Sequence, residues 1–362
     1  MYQTNLCILI IEGNGYIDKK DESDLKTIKT VDAVGHVLCH DLTQIIKGQI
    51  DDAIFRKGHV VTKEDIPVLL SIGKENLYVW EKNEGMLHEN EAAEILYQVC
   101  KNENMSPTEV KEGKINIVAE AEGLLKIDKN RLYEINFLGE IIIATRHGNQ
   151  PVKKGDKLAG TRIIPLVIPS EKMDKVKEIG GETPLLKILP FTRKKAAIIT
   201  TGSEVFSGRI KDTFGPVIKE KVAEYSVEVI SQTILNDEAD KITEAILKAI
   251  EEGAEVIFCT GGMSVDPDDT TPSAIKNTGA RLVTYGAPVL PGAMFLLAYY
   301  KDIPILGLPG CVMYSKRTIF DLILPRVLAN DVITAEEIAE LGHGGLCLSC
   351  DVCTFPNCGF GK

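Results

Sequence analysis

The sequence predicts an α/β protein whose C-terminal half contains a doubly wound, three-layer sheet, preceded by a mixed α+β, β-rich region. Apolar runs at 196–201 and 256–260 end abruptly in threonine and glycine, as buried parallel strands do when both of their faces are covered. From residue 194 onward, strand and helix patterns alternate along the chain. Such alternation specifies a parallel sheet with right-handed crossover connections.

The length of 362 residues exceeds that of one ordinary hydrophobic core, so we expect several domains. The clearest linker is the glycine- and proline-rich zone between Gly180 and Pro190, and we place the main boundary near Pro190. The expected divisions are an uncertain segment at 1–28, an α+β region at 29–108, a β-rich region with a linker at 109–190, the α/β domain at 191–331, and a cysteine-rich tail at 332–362.

The elements before residue 190 are predicted from local patterns. A capping-box pattern begins at Thr62 and precedes a helix at 66–72. An amphipathic pattern predicts a second helix at 90–102. The remaining predictions are a strand at 77–80, strands at 115–119, 123–127, 140–144 and 157–167, and a short charged helix at 171–179.

The α/β domain is predicted from its alternating strand and helix patterns. Strands are expected at 196–201, 227–235, 256–260, 280–285 and 303–308. Helices are expected at 213–225, 240–252 and 314–329, the last with Ile319, Ile323 and Leu324 facing inward.

Composition restricts the possible functions. Hydrophobic residues make up 44% and charged residues 26% of the chain, as in ordinary globular proteins. The formal net charge of −11 argues against sequence-independent nucleic-acid binding, which needs a basic surface. No apolar run reaches membrane-spanning length, and the N-terminus has no basic lead-in to a signal peptide. Five of the nine cysteines are dispersed, which fits a reducing compartment. We expect a cytoplasmic protein without a membrane partner.

Two strand ends of the predicted sheet carry glycine and hydroxyl residues. Thr201, Gly202 and Ser203 end the first strand, and residues 261–264 (Gly-Gly-Met-Ser) end the third. Ligands of open α/β sheets bind beyond the carboxyl ends of the strands, and glycine allows consecutive backbone amides to surround an anion. No Lys-Ser or Lys-Thr pair follows, so this is not a P-loop. The pattern predicts a crevice for an anionic ligand.

Acidic residues follow the same strands. Glu204 comes after the first strand, Asp237 after the second and Asp269 after the third. Two carboxylates that converge beside a phosphate would suit Mg²⁺. Helix capping is the alternative role for Asp237 and Asp269.

The segment from Ala196 to about Asp331 resembles the molybdopterin-binding domain of molybdenum cofactor biosynthesis proteins, which include molybdopterin adenylyltransferases and molybdopterin molybdotransferases. The residues that carry this resemblance occur in the family's order and spacing: Thr201-Gly202-Ser203-Glu204-Val205, Gly208-Arg209-Ile210-Lys211-Asp212-Thr213, Asn236-Asp237, Thr260-Gly261-Gly262-Met263-Ser264, Asp269-Thr270-Thr271-Pro272 and Leu308-Pro309-Gly310.

The resemblance implies a molybdopterin-type doubly wound domain and roles for particular residues. Glu204, Asp237 and Asp269 would hold metal or act in catalysis. Glycine, hydroxyl and proline residues would surround the pterin and its phosphate or form the walls of the crevice. These are Thr201, Gly202, Ser203, Gly261, Gly262, Ser264, Pro291, Gly292, Pro309 and Gly310.

The resemblance also implies a function, and it leaves alternatives open. The leading hypothesis is a transferase of molybdenum cofactor biosynthesis that uses molybdopterin, a nucleotide and Mg²⁺, and that forms a dimer or trimer. Residues 34–61 resemble the start of the molybdotransferase N-terminal region, but the family's Met-Asp-Gly-Tyr-Ala loop has no counterpart. That departure favours a second hypothesis, a non-catalytic carrier that delivers the pterin to a molybdoenzyme. A related nucleotide hydrolase is the third.

The tail contains a dense group of cysteines. Cys347, Cys350, Cys353 and Cys358 follow the spacing Cys-x2-Cys-x2-Cys-x4-Cys. Four thiols this close can surround one ion or one cluster. Structural zinc sites usually use two cysteine pairs that are separated by a longer span, whereas a close triple is more typical of iron–sulfur proteins. An iron–sulfur cluster, a zinc ion and a redox-active or disordered tail all remain possible, with His343 as a further candidate ligand.

Overall fold

The computed structural model of the chain describes residues 26–46, 50–79, 85–264 and 269–362. The chain forms two compact units. One runs to Asn90 and includes Pro165–Glu171, and the other comprises Glu91–Ile164 and Lys172–Lys362. The boundary that we placed near Pro190 therefore falls inside the second unit, and most of the uncertain segment 1–28 lies outside the described residues.

In its described residues, the first unit contains short antiparallel strand pairs and the α-helix Asp65–Ser71. A small apolar core that includes Leu38, Leu69 and Leu77 holds it together. Strand β1 pairs with β4, β2 pairs with β3, and β5 pairs with residues Val167–Pro169. Its elements up to residue 88 are β1 (Lys26–Lys29), β2 (Leu42–Ile46), β3 (Ile50–Phe55), α1 (Asp65–Ser71), β4 (Asn76–Val79) and β5 (Met86–His88).

Residues 89–189 form two helix-flanked antiparallel sheets and the strand that pairs with β5. The elements are α2 (Glu89–Cys100), β6 (Met105–Pro107), β7 (Ile115–Ala119), β8 (Gly123–Ile127), α3 (Lys129–Phe137), β9 (Ile141–Thr145), β10 (Gln150–Val152), β11 (Lys157–Ile163), β12 (Val167–Pro169), α4 (Ser170–Gly180) and β13 (Leu186–Leu189). The strand orders are β6-β7-β11-β9 and β10-β8-β13.

Helix α3 was not predicted, because its sequence has little apolar periodicity. Ile135 is its buried residue. Polar contacts position the helix instead: the carboxylate of Asp128 accepts a hydrogen bond from the backbone N–H of Arg131 at 3.1 Å. At the other end, the Asn136 side chain exchanges two hydrogen bonds with the backbone of Ile143.

The rest of the second unit is built on a six-stranded sheet. Its elements are β14 (Lys195–Thr201), α5 (Ser203–Phe206), α6 (Phe214–Ala223), β15 (Glu228–Leu235), α7 (Ala239–Glu251), β16 (Val256–Thr260), α8 (Thr271–Asn277), β17 (Arg281–Tyr285), β18 (Leu296–Tyr300), β19 (Ile303–Leu308), α9 (Ile319–Leu328) and α10 (Ala335–Glu340). The strand order is β15-β14-β16-β19-β18-β17. Strands β15, β14, β16 and β19 are parallel, while β18 runs antiparallel to both of its neighbours.

Helices cover both faces of this sheet, so the predicted three-layer α/β fold is confirmed. All five residues of β16 are buried. Phe258 packs against α9, where its ring meets that of Phe320 at 5.4 Å, and Ile257 belongs to the opposite core together with Ile246 of α7 and Ile275 of α8. Each fully buried side chain of this size stabilises the fold by about 1.5–3 kcal/mol.

Two predictions for this sheet need correction. Strand β18 was not predicted, since a short apolar run does not distinguish a strand from a buried helix by periodicity alone. The helix predicted at 314–329 begins at Ile319 instead of Tyr314, because residues Gly310–Met313 form a separate 3₁₀ turn. Thr318 and Asp321 then cap the helix reciprocally. Among the described helices, none combines the length and the apolar character that crossing a membrane requires.

Candidate functional site

The carboxyl ends of β14, β16 and β19 line a cavity of about 600 Å³, here called the strand-end crevice. Eight of the predicted site residues line it: Thr201, Glu204, Gly261, Gly262, Ser264, Asp269, Pro309 and Gly310. The other predicted residues are not part of its lining. These are Gly202, Ser203, Asp237, Pro291 and Gly292.

The loop after β16 requires glycine at two positions. Gly261 and Gly262 have φ values of +83° and +52°, which side chains disfavour. A Cβ atom on Gly261 would lie 2.1 Å from the carbonyl oxygen of Thr201. The end of β16 can therefore approach the end of β14 this closely only with glycine at 261.

Hydroxyl groups hold the carbonyl oxygens of this loop. The buried Thr271 donates to the Gly261 oxygen at 2.9 Å. Tyr285 lies at 3.1 Å from the Met263 oxygen and at 3.2 Å from the Ser264 oxygen, and its hydroxyl donates to this pair. Burial, and then the charge of Asp269, raises the pKa of Tyr285, so the phenol keeps its proton. Sequence reasoning missed Tyr285, which is distant from the loop in the chain.

Several polar groups at the crevice have no partner among the described residues. The backbone N–H groups of Gly262, Met263 and Ser264 donate to no described group. The hydroxyl of Thr260 is completely buried, lines the crevice and also lacks a described partner. Buried polar groups normally form hydrogen bonds, and consecutive amides suit an anion. These groups fit a ligand that brings acceptor oxygens.

The Asp237 side chain forms hydrogen bonds with the first residue of α5. Its Oδ2 atom accepts hydrogen bonds from both the backbone N–H and the hydroxyl of Ser203, each at 2.9 Å. The Ser203 amide, which we had assigned to phosphate, thus already has an acceptor. Oδ1 of Asp237 accepts no hydrogen bond from the described residues.

Neither of the two predicted metal-binding aspartates takes the capping position that was the alternative. The N-cap residue of α7 is Glu238 and that of α8 is Thr270. The Thr270 hydroxyl donates to the carbonyl oxygen of Asp237 at 3.1 Å. This bond joins the segment that carries Asp269 to the end of β15, so both acids lie at the same edge of the sheet.

Asp212 is a further acidic residue of the crevice that sequence reasoning did not assign to the site. Its Oδ1 atom accepts from the backbone N–H groups of Phe214 and Gly215, at 2.9 and 3.1 Å. Its Oδ2 atom accepts from the Gln232 amide at 2.6 Å. An aspartate two residues before a helix is a typical capping signal, and this signal could have identified the local role of Asp212.

The electrostatics of the crevice are acidic. Among the described lining residues, three carboxylates (Glu204, Asp212 and Asp269) accompany a single lysine, Lys211. Burial raises the pKa of the Cys311 thiol, another lining group. The walls are largely apolar and include Ile210, Phe214, Met294, Leu308, Met313 and Tyr314. The crevice therefore suits a flat, mostly apolar ring, and an anionic substituent on that ring would need a cation near the acids.

The tail cysteines lie at a second cavity, of about 490 Å³, here called the tail cavity. Cys347, Cys350, Cys353 and Cys358 all line it. Cys350 and Cys353 are exposed, and the other two are partly buried. Within the part of the chain that the structure describes, no three His, Cys, Asp or Glu side chains are arranged to hold a metal ion. His343 lines a different cavity.

Comparison with known protein families identifies the α/β domain. Residues 197–329 match the family described as "Probable molybdopterin binding domain". The α/β domain belongs to this family. A second family, described as a domain of unknown function, matches residues 27–81 of the first unit.

Curated relatives resemble only part of the chain. The molybdenum cofactor synthesis protein cinnamon of Drosophila melanogaster is 25% identical over 214 residues, which are 56% of this chain and 34% of that protein. A molybdopterin molybdenumtransferase of Staphylococcus epidermidis is 27% identical over 131 residues, or 34% of this chain and 31% of that enzyme. The chain thus spans about a third of the length of these relatives.

One solved structure illustrates the structural comparison. The molybdopterin biosynthesis Mog protein from Mycobacterium ulcerans is 19% identical, with a TM-score of 0.31. The match covers 38% of this chain and 99% of that protein.

Proposed function

We propose that the molybdopterin-binding domain binds molybdopterin, or its adenylylated form, in the strand-end crevice together with Mg²⁺, and that it catalyses nucleotidyl transfer or molybdenum insertion. The observation that carries the proposal is the loop at 262–264, whose three N–H groups have no described partner and whose residues line the crevice together with Asp269 and Lys211. A phosphate with a bound cation complements this combination of donors, acid and lysine.

Different groups of the crevice would bind the phosphate and the ring. The N–H groups of residues 262–264 and the Thr260 hydroxyl would donate to phosphate oxygens, while Lys211 supplies positive charge. The ring would lie between apolar walls that include Ile210 and Phe214. Burying a flat ring between such side chains adds hydrophobic free energy to the binding.

Mg²⁺ would be held by Asp269 and by the Oδ1 atom of Asp237, with phosphate oxygens as further ligands. The hydrogen bonds from Ser203 fix the Asp237 carboxylate through Oδ2 and leave Oδ1 available. When bound, Mg²⁺ neutralises charge on the phosphate during transfer. Glu204, at the rim of the crevice, would position a water molecule or the pterin.

The test is incubation of the full chain with ATP, Mg²⁺ and molybdopterin. Formation of adenylyl-molybdopterin supports nucleotidyl transfer, and consumption of adenylyl-molybdopterin in the presence of molybdate supports insertion. Asp269→Asn should lower turnover by about 100-fold or more, because charge stabilisation in the transition state is lost. Asp302→Asn is the matched control, since Asp302 lies just before β19, at the opposite end of that strand. Full activity of Asp269→Asn would disprove the metal assignment.

A non-catalytic carrier is the second candidate, and one observation favours it. The Met-Asp-Gly-Tyr-Ala loop that the resembling transferases carry has no counterpart in this sequence. A carrier that delivers the cofactor to a molybdoenzyme would bind the pterin tightly without turnover in the same assay.

We further propose that the protein acts as a dimer or trimer, which light scattering of the purified chain would measure.

A further inference from the structure

The tail cavity differs from the crevice in its ligand chemistry. It is lined by four cysteine thiols, by the cations Lys316 and Arg317, and by the Phe355 ring. Neither pterin binding nor the proposed reaction uses any of these groups. The four cysteines fall within twelve residues of sequence, so one short segment supplies every thiol.

The segment that carries the thiols is anchored at its N-terminal end. Leu290 donates to the Gly345 oxygen and accepts from the Cys347 N–H, both at 2.8 Å. A Cβ atom on Gly345 would lie 2.5 Å from the Pro288 oxygen, so glycine permits this close approach. The first thiol is thereby fixed against the body of the second unit.

The C-terminal end of the segment is anchored as well. Phe360 is 5% exposed and belongs to the main apolar core. The Gly361 N–H donates to the Gly344 oxygen at 2.9 Å and closes the segment into a loop. The thiols between these anchors are held on a folded scaffold, which contradicts the disordered-tail alternative.

Cationic side chains lie next to the thiols. Arg317 lines the tail cavity together with Cys353, bonds to Asp321 at 2.8 Å, and places its guanidinium 5.0 Å from the centre of the Phe355 ring. Lys316 donates to the Asp351 oxygen at 2.9 Å. Neighbouring cations complement the charge of an anionic group that is bound in the cavity.

The spacing of the thiols favours one of the two metal alternatives. Structural zinc sites usually use two cysteine pairs that are separated by a longer span, whereas three cysteines with two residues between each are more typical of iron–sulfur proteins. All four thiols line one cavity of about 490 Å³. If each atom takes roughly 30 Å³, as a water molecule does, an eight-atom cluster fits within it.

We propose that Cys347, Cys350, Cys353 and Cys358 ligate a 4Fe–4S cluster in the tail cavity. Two ferrous ions, two ferric ions and four sulfide ions form the core, and each thiol releases its proton to solvent as its sulfur bonds to iron. No electron is transferred in this assembly. With four thiolates the complex carries a net charge of about −2, which the guanidinium of Arg317 complements.

The test is reconstitution of the full chain without oxygen, using ferrous iron, ferric iron and sulfide. We expect about four iron and four sulfide per chain, visible charge-transfer absorbance, and a paramagnetic signal after reduction with dithionite. Cys350→Ser and Cys353→Ser should each lose at least half of the iron. Both positions are exposed, so circular dichroism should show an unchanged fold.

Cys311→Ser is the matched control, because this thiol lines the strand-end crevice and not the tail cavity. It should retain the full iron content. One zinc ion per chain without sulfide, or no bound metal after reconstitution, would overturn the proposal. Since the readout is metal and sulfide content, the result is independent of whether the crevice binds molybdopterin.

Discussion

The strand-end crevice and the tail cavity have similar volumes, about 600 and 490 Å³, but they are built differently. The crevice lies at the ends of buried parallel strands, where helices on both faces fix the backbone. The tail cavity is lined mainly by residues 346–360 and by residues 314–317. Residues 346–359 contain no helix and no strand beyond one bridge between Leu346 and Leu290. The sheet defines the shape of the first cavity before any ligand binds, whereas the second depends on a few anchors and on the cluster that we propose.

The largest effect that tests this contrast is on stability. Gly261→Ala should lower the free energy of unfolding by about 3 kcal/mol, because the new Cβ meets the Thr201 oxygen and the backbone is left-handed. Gly253→Ala is the control, since φ is +96° there but no atom lies within 4 Å of the new Cβ, and it should cost about 1 kcal/mol. Urea denaturation measures both values. Equal losses would show that contact with β14 does not shape the crevice.

Removal of iron should change the dynamics of the tail segment and leave those of the buried sheet unchanged. Chelation from the reconstituted protein is expected to speed amide hydrogen exchange across residues 348–358, because this segment contains no helix and no strand. Exchange in Val256–Thr260 should stay unchanged, since that strand is buried on both faces. Mass spectrometry of peptides from the two segments gives the comparison. Equal protection of 348–358 with and without iron would show that the tail is as preformed as the crevice.

A smaller effect, on molybdopterin affinity, is expected from the tyrosine that supports the loop at 261–264. Tyr285→Phe removes the hydroxyl that donates to the Met263 and Ser264 oxygens. Losing this hydrogen bonding, which stabilises the loop by about 1 kcal/mol, should weaken molybdopterin binding roughly fivefold. Tyr133→Phe is the control, because Tyr133 is 65% exposed on α3. Calorimetric titration measures both affinities, and an unchanged affinity in Tyr285→Phe would mean that the loop keeps its shape without this hydroxyl.

The smallest expected effect is on the electronic properties of the cluster. Arg317→Gln should lower its reduction potential, since a nearby positive charge stabilises the more negative reduced state. Arg317→Lys should restore most of the potential, and molybdopterin affinity should be the same in both variants. Spectroscopic redox titration checks the direction. A rise in potential, or no change, would contradict the position of Arg317 beside the cluster.

The sequence predicts those elements best whose own residues determine them. The strand Val256–Thr260 was predicted with its observed bounds, because every residue in it is apolar or small and turn residues follow at once. Strand β18 and helix α3 were missed, since their places depend on pairing with β19 and on the cap at Asp128. Local pattern alone does not contain that information.

The residues of the candidate site also differ in whether the sequence alone predicts them. Glycine-rich strand ends are visible in sequence, so the residues of the β16 loop could be predicted to lie at the crevice. The hydroxyl of Tyr285, the bond from Gln232 to Asp212 and the closure of Ser203 onto Asp237 each join residues at least 20 positions apart. These contacts depend on strand order, which pattern reasoning does not supply.

Tyr314 gives the two cavities a common wall. Its side chain is 78% exposed and yet lines both the strand-end crevice and the tail cavity. Thermodynamic linkage then makes any effect mutual: if a bound cluster changes the affinity for the pterin by some factor, a bound pterin changes the affinity for the cluster by the same factor. Measuring either binding equilibrium with the other site filled and empty therefore yields a single coupling free energy, and Tyr314→Ala would report how much of it passes through this ring.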